Sequence, residues 1–374
     1  MKGPHLVREN AALAVAAARC RAAGRVAVDT EFARSDTFYP RLALVQLAGD
    51  GEIWLVDPLA DLDLAPLAEL LADPGVEKVF HSASEDLEVL RHALGVVPAP
   101  LFDTQVAAAI AGLGFSRGYG ALVAELLGVS LDKGETRSDW LRRPLSAAQL
   151  RYAADDVRYL LDLAGLLEER LAEAGRSPWL AEEMAALVAA AQELDPPAEA
   201  WRRVRGAERL TGVELARLQA LAAWREEEAR RLDRPRGRVV PDRVLLALAR
   251  ERPRERRALA AVEGMTPGIL RRHGDALLAL LRRDLPPVAT VPPRTLDAAE
   301  RARYERLRAR LSAVAQSLEV APELLARRAE LERLAAGDGL SPRLARGWRH
   351  VVVGRALLAE LAEGAEGAED GAPL

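Results

Sequence analysis

The chain has 374 residues, half of them apolar, a single cysteine and a formal net charge of −4 at pH 7. That length supplies a sizeable core and should divide into two or three domains. The lone Cys20 excludes a disulfide framework and a thiolate zinc site, and it fits a reducing, cytoplasmic setting. No stretch is apolar for long enough to span a bilayer, so a membrane partner is not expected. The net charge hides an asymmetry: residues 1–200 balance at −13 and residues 201–290 at +9. The acidic part repels a polyanion unless metal ions intervene, whereas the basic part can hold one. Nearly all the positive charge is arginine, with lysine only at 2, 78 and 133, a bias that base composition of a genome can produce unaided.

In chain order, the alanine-rich run 11–18 reads as a surface helix capped by Asn10. It ends at Arg19 and Arg21 and leads into a strand, unlike a signal peptide. Residues 26–32, Val-Ala-Val-Asp-Thr-Glu-Phe, start apolar and β-branched and read as a buried strand. Two more strands, 41–48 and 52–57, flank the turn Gly49-Asp50-Gly51, and the three together suggest an antiparallel meander. The pattern then alternates: a helix at 64–71, a strand at 78–81, and helices at 84–93, 103–111 and 120–127. A meander followed by alternating helix and strand indicates a mixed sheet covered by helices. The polar stretch 131–143 reads as a loop over a site. A long helix is expected over 146–174 and another over 178–192, broken off at Asp195-Pro196-Pro197. Residues 201–285 and 295–362 read as helical modules separated by prolines, and 363–374 as a disordered acidic tail.

Within this frame the period of two in a strand puts Asp29 and Glu31 on one face, where two carboxylates beside a core call for a cation. Asp86 falls in the first turn of a helix, where an acid also suits the helix dipole. In Tyr152-Ala153-Ala154-Asp155-Asp156 the spacing of four puts Tyr152 and Asp156 on one helical face and turns Asp155 elsewhere. There is no Gly-x-x-x-x-Gly-Lys-Ser/Thr loop for a nucleotide triphosphate and no Gly-x-Ser-x-Gly nucleophile elbow, and Gly112, Gly114, Gly118 and Gly120 make no dinucleotide fingerprint.

Taken together, Asp29, Glu31, Asp86 and Asp156 with Tyr152 resemble the DEDD exonucleases of the tyrosine subclass. The ordered blocks Asp29-Thr30-Glu31-Phe32, Tyr39-Pro40-Arg41-Leu42 through Gln46-Leu47, His81 through Glu85-Asp86-Leu87, Phe102-Asp103-Thr104-Gln105, Lys133 through Trp140, and Tyr152 through Val157 resemble the ribonuclease D family. The likeness covers about residues 5–195. The following modules resemble helicase-and-RNase-D C-terminal (HRDC) bundles, 208–285 better than 295–362.

The resemblance implies an α/β N-terminal domain with a ribonuclease H-like mixed sheet (1–197), an HRDC domain (201–288) and a second HRDC-like helical domain (295–362). It implies a 3′-to-5′ exoribonuclease that releases 5′-mononucleotides from tRNA precursors and other small structured RNAs. Two divalent ions, Mg²⁺ or Mn²⁺, would stabilise the attacking and leaving oxygens, held by Asp29, Glu31, Asp86 and Asp156, since hard cations favour carboxylate oxygen. Tyr152, a phenol with an ordinary pKa of about 10, would orient the attacking water or take its proton. For several residues two readings stand side by side: Phe32 stacks on terminal bases or packs in the core; His81 touches the leaving nucleotide or is a hydrogen-bonded structural histidine; Lys133, Arg137 and Ser138 contact RNA or are exposed loop residues. Asp103 and Gln105 support the site or cap a helix, and Trp140 is assigned to packing. The run Arg202, Arg203, Arg205 and Arg209 tracks phosphates or forms a solvated face. Two alternatives keep part of this reading: an exonuclease on DNA, and an inactive fold that serves as an RNA-binding scaffold, against which the intact carboxylates argue.

Overall fold

A computed structural model describes residues 3–132, 134–135, 138–288 and 296–369, with the backbone alone from 364 on. The chain forms two compact units. One comprises 1–33, 42–192 and 296–374, the other 34–41 and 193–295.

The first unit is built on a six-stranded mixed sheet. In chain order its elements are β1 (His5–Val7), α1 (Asn10–Ala23), β2 (Arg25–Ala33), β3 (Arg41–Gly49), β4 (Glu52–Val56), α2 (Ala65–Ala72), β5 (Glu77–Phe80), α3 (Ser84–Leu94), β6 (Leu101–Asp103), α4 (Thr104–Ile110), α5 (Tyr119–Leu127), α6 (Ala147–Arg158), α7 (Leu160–Glu173) and α8 (Ser177–Gln192). The strands lie in the order β1-β4-β3-β2-β5-β6. The expected neighbours β2, β3 and β4 are there, and β3 and β4 pair antiparallel across a two-residue turn. Asp50 (φ 50°) and Gly51 (φ 72°) both take the left-handed conformation that such a hairpin turn requires. Two strands lie beyond the sequence reading: β1 pairs parallel to β4 at one edge and β6 parallel to β5 at the other. Each is three residues long, too short to show an alternating pattern.

Other expectations need correction. Asn10 does not cap α1: the cap is Glu9, without a side-chain bond, and Asn10 Oδ1 instead accepts from the Asp63 amide at 2.8 Å. The helix expected over 146–174 is two, broken at Tyr159, because the Tyr119 hydroxyl accepts from the Tyr159 amide at 3.2 Å and donates to Asp155 O at 3.1 Å.

The C-terminal part of this unit, which follows helices α9 (Gly212–Leu232) to α13 (Pro267–Arg282) of the second unit in the chain, is helical as expected: α14 (Ala298–Ser317), α15 (Pro322–Leu325), α16 (Arg328–Ala335), α17 (Gly347–Arg349), a π-turn at His350–Gly354, and α18 (Arg355–Glu369). Its buried Leu307, Leu325, Leu344 and Val353 belong to one apolar core with Leu13, Val28 and Leu163. Gly112 marks the closeness of that packing, since at φ 85° a Cβ there would come within 2.6 Å of Glu319 O. The tail expected to be disordered from 363 is helical through Glu369, because Ala and Glu favour helix strongly enough to carry α18 past Gly364 and Gly367; 370–374 lie outside the described residues. No described helix is long and apolar enough to cross a membrane.

The second unit has its own core. Helices α9 (Gly212–Leu232), α10 (Arg236–Val239), α11 (Asp242–Glu251), α12 (Arg256–Ala261) and α13 (Pro267–Arg282) bury Leu218, Leu221, Val244, Leu248 and Leu277 together. Phe38 packs on this core, with the Arg236 guanidinium 4.6 Å from its ring centre.

Candidate active site

β2 is apolar where it crosses the core and polar where it leaves. Val26, Ala27 and Val28 are fully buried, and beyond them Asp29 and Glu31 project from the same face. The helix α6 packs on β2 and β4. A capping box fixes its register: Gln149 N donates to Ser146 Oγ (3.1 Å) and Ser146 N to Gln149 Oε1 (2.9 Å). Asp156 follows two turns later, and one carboxylate oxygen each from Asp29, Glu31 and Asp156 lie within 4.8 Å of one another.

Asp86 stands beside this trio rather than in it. It is 7% exposed, and its Oδ1 accepts a 2.5 Å hydrogen bond from the Thr30 hydroxyl. Thr30, to which sequence reading gave no role of its own, thus ties the start of α3 to β2. The Tyr152 hydroxyl hydrogen-bonds Asp156, and its ring lies 6.0 Å from that of Trp140, which is buried as packing requires. Asp155 turns away and pairs with Arg158 Nε at 2.7 Å.

Burial, and after it the crowding of like charges, raises every one of these carboxyls. Burial and the Asp156 charge put Asp29 well above the usual carboxylate range. Burial, then Asp29, Asp156 and Asp86, push Glu31 up to about 9. Burial and Asp155 push Asp156 up to about 7, against the bond from Tyr152. Burial and Asp29 raise Asp86 against the Thr30 bond. Each shift favours the protonated form, and a divalent cation at the cluster would reverse that balance. The all-carboxylate donor set suits a hard ion such as Mg²⁺ or Mn²⁺.

The surrounding residues divide into those that support and those that face outward. Asp103 is buried and accepts from the amides of Ser82 (3.1 Å), Ala83 (2.8 Å), Gln105 (2.8 Å) and Val106 (3.3 Å), so it joins the starts of α3 and α4. Gln105 Nε2 donates to Arg117 O at 3.0 Å. His81 Nδ1 lies 2.9 Å from Thr104 Oγ1, whose own hydrogen goes to Phe80 O at 3.1 Å. That leaves Nδ1 as the donor, and burial lowers the imidazole pKa. Ser138 Oγ accepts from Gln149 Nε2 at 3.0 Å. Phe32 is half-buried against the core. Lys133 and Arg137 lie outside the described residues. The far end of their loop is held by Arg143, which sequence reading passed over: its guanidinium grips both oxygens of the buried Asp57, at 2.9 and 2.7 Å, and donates to Ala43 O. In the second unit Arg202 pairs with Glu199 and Arg203 with Asp195, while Arg209 sits 3.7 Å from Glu208.

A carboxylate cluster with an adjoining tyrosine, at the end of a strand in a helix-covered mixed sheet, is the equipment of a 3′-5′ exonuclease. The family described as 3′-5′ exonuclease matches residues 4–172, and the HRDC domain family matches 214–281. The chain belongs to the ribonuclease D family and is a 3′-5′ exoribonuclease. It is 44% identical to ribonuclease D of Pseudomonas paraeruginosa over 94% of this chain and 96% of that protein, and 41% identical to that of Granulibacter bethesdensis over 95% and 92%. Among solved structures it superimposes with a TM-score of 0.87 and 35% identity on Escherichia coli RNase D, described as an exoribonuclease involved in structured RNA processing, over 97% of this chain and 99% of that one.

Proposed function

We propose that the enzyme matures the 3′ ends of tRNA precursors and other small structured RNAs in the cytoplasm, using two divalent metal ions held by Asp29, Glu31, Asp86 and Asp156. The observation that carries the reading is the meeting of Asp29, Glu31 and Asp156 within 4.8 Å, with Asp86 one side chain away. The likeness to an enzyme of structured RNA processing supports the substrate class. When bound, the ions supply Lewis acidity to the scissile phosphodiester. Tyr152, bonded to Asp156, holds the attacking water in line and passes its proton on. Thr30 keeps Asp86 turned toward the cluster, and the Trp140 ring limits the swing of Tyr152. We assign Phe32 to stacking on the terminal bases and His81, Lys133, Arg137 and Ser138 to contacts with the RNA end. The divisions 1–197, 201–288 and 295–362 are kept as the exonuclease, HRDC and second HRDC-like segments.

The test is a digestion of one precursor tRNA labelled at its 3′ end and, separately, at its 5′ end, with and without Mg²⁺, beside single-stranded DNA of the trailer sequence. The expected result is metal-dependent release of 3′-terminal 5′-mononucleotides that stops at the mature end, with DNA cut more slowly. Equal rates on DNA would move the substrate assignment to DNA, and RNA binding without turnover would make the fold a scaffold.

A further inference from the structure

Apart from the carboxylate cluster, the first unit holds a cleft of about 580 Å³ where the C-terminal helices meet α3, α4 and the loop after α4. A cavity of this size accommodates a ligand on the scale of a nucleotide. Ser84 and Phe115 line it together with four arginines, Arg327, Arg328, Arg343 and Arg349. Among the described residues the acids on its walls are Glu183 and Glu323, so that lining carries a surplus of two positive charges in a unit whose residues 1–192 are strongly acidic.

The four arginines are not equivalent. Arg349 is buried and held in both arms by Glu183. Arg343 donates to Leu324 O at 2.8 Å and to Glu330 at 3.1 Å. These two are fixed parts of the wall. Arg327 and Arg328 are exposed. Arg328 has a surface partner one turn on, Glu332 at 2.7 Å, a pairing worth little in water; the Arg327 amide donates to Glu330 at 2.8 Å, but no salt bridge engages its guanidinium among the described residues. Burial, then the neighbouring Arg349 charge, hold Arg343 below the usual guanidinium range, with Arg327 adding to the effect. Guanidinium groups crowded this way gain when an anion enters. Phe115, 49% exposed, offers a bare aromatic face on the same cleft. Ser84 opens α3, and Asp86 follows two residues later, about 3 Å along the helix axis.

We propose that this cleft binds the phosphodiester backbone of the RNA strand under degradation, upstream of its 3′ end, with Arg327 and Arg328 on phosphates and Phe115 stacked on a base. A guanidinium fork matches phosphate geometry, and stacking tolerates any base, which an enzyme that walks along a strand requires. The proposal rests on RNA as the substrate and is indifferent to which RNA is processed.

Three full-length proteins test it: the wild type, Arg327→Glu/Arg328→Glu and Phe115→Ala, all at exposed positions. Affinity for unstructured RNA of 4 to 20 nucleotides is measured in EDTA, so that nothing is cut, at several salt concentrations and beside a 5′-mononucleotide. The wild type should gain affinity with length. The double variant should lose most of that gain and show a salt slope shallower by about 1.4, the value for two lost single-strand contacts, and Phe115→Ala should weaken long RNA about tenfold. Unchanged length dependence and salt slope in the double variant would overturn the proposal. So would an equal loss of affinity for the mononucleotide, which would make the cleft a nucleotide pocket rather than a strand path. Neither failure touches the tRNA assignment, which is read from cleavage products.

Discussion

The two units use charge in opposite ways. In the first, carboxylates are buried together without a cationic partner among the described residues, so that Asp29, Glu31, Asp86 and Asp156 all sit above their usual pKa. In the second, the carboxylates are paired with arginines. Glu226 is buried and taken by Arg230 and Arg236, Arg225 is buried on Asp242, Glu228 takes Arg231, and Arg252 reaches Asp284. Unpaired charge marks where a ligand belongs, while paired charge mostly holds helices together. The +9 of residues 201–290 is what remains after such pairs, and sequence alone does not say which arginines it rests on: Arg202 and Arg203 of the run at 202–209 are engaged by Glu199 and Asp195, so a cluster of four acids says more than a run of four arginines.

The largest expected effect separates chemistry from binding. Tyr152→Phe should lower kcat by about two to four orders of magnitude, the range of a general acid or base, and leave RNA affinity close to the wild type because the ring still packs on Trp140. A loss of affinity with an unchanged single-turnover rate would make the hydroxyl a substrate contact and blur the division between the units.

Next in size is a pair of core truncations. Trp348 stacks on Trp179 with ring centres 4.5 Å apart and planes 7° from parallel, its Nε1 donates to Glu183 at 2.9 Å, and Arg349 covers its ring at 4.3 Å. Trp348→Ala should cost about 3–5 kcal/mol and Leu218→Ala, in the other core, about 2–5 kcal/mol. Only the first should lower the temperature at which cleavage of a short oligonucleotide is lost. Equal heat inactivation in both variants would show that the units unfold together.

The smallest effect has a sign of its own in each unit. Without metal, the raised carboxyls of the first unit keep protons that the unfolded chain has released above about pH 4, so their contribution to stability falls as pH rises, through about 7 for Asp156 and about 9 for Glu31. Glu226, though buried, is held below its usual range by Arg236 and Arg230, so its contribution is constant above pH 5 and is lost only toward acid. Between pH 5.5 and 8.5 in EDTA the melting temperature of the first unit should fall while that of the second holds, and added Mg²⁺ should close the gap. A first unit that grows more stable over that interval would contradict the crowding of its acids.

Much of this was legible in the chain. The helix faces, the β3–β4 turn and the positions of Asp29, Glu31, Tyr152 and Asp156 follow from local periodicity, because period two and period 3.6 decide which side chains share a face. What escaped depends on contacts far apart in sequence. The strands β1 and β6 exist by pairing with β4 and β5, and the break at Tyr159 is made by a hydroxyl 40 residues earlier. The place of Asp86 beside the trio is fixed by Thr30, on the opposite face of β2 from Asp29 and Glu31, through a hydrogen bond between residues 56 apart in the chain. The grouping of 296–369 with the catalytic core was hidden for the same reason. Its flanking prolines announce a separate module, but Trp348, Arg349 and Glu319 meet partners on α8 and the turn after α4, and nothing local to them says so.

We propose that the acidic cluster, in this register of α6, holds the catalytic metal. Calorimetric titration of Mn²⁺, with turnover of a short RNA measured on the same samples, tests it most directly in Asp156→Ala and Asp155→Ala. Asp156→Ala should lose both metal binding and turnover while its melting temperature in EDTA holds or rises, because it relieves repulsion at Asp29 and Glu31. Asp155→Ala should keep both, its carboxylate being engaged by Arg158. An Asp156→Ala protein that still binds Mn²⁺ and turns over, beside an inactive Asp155→Ala, would contradict the site.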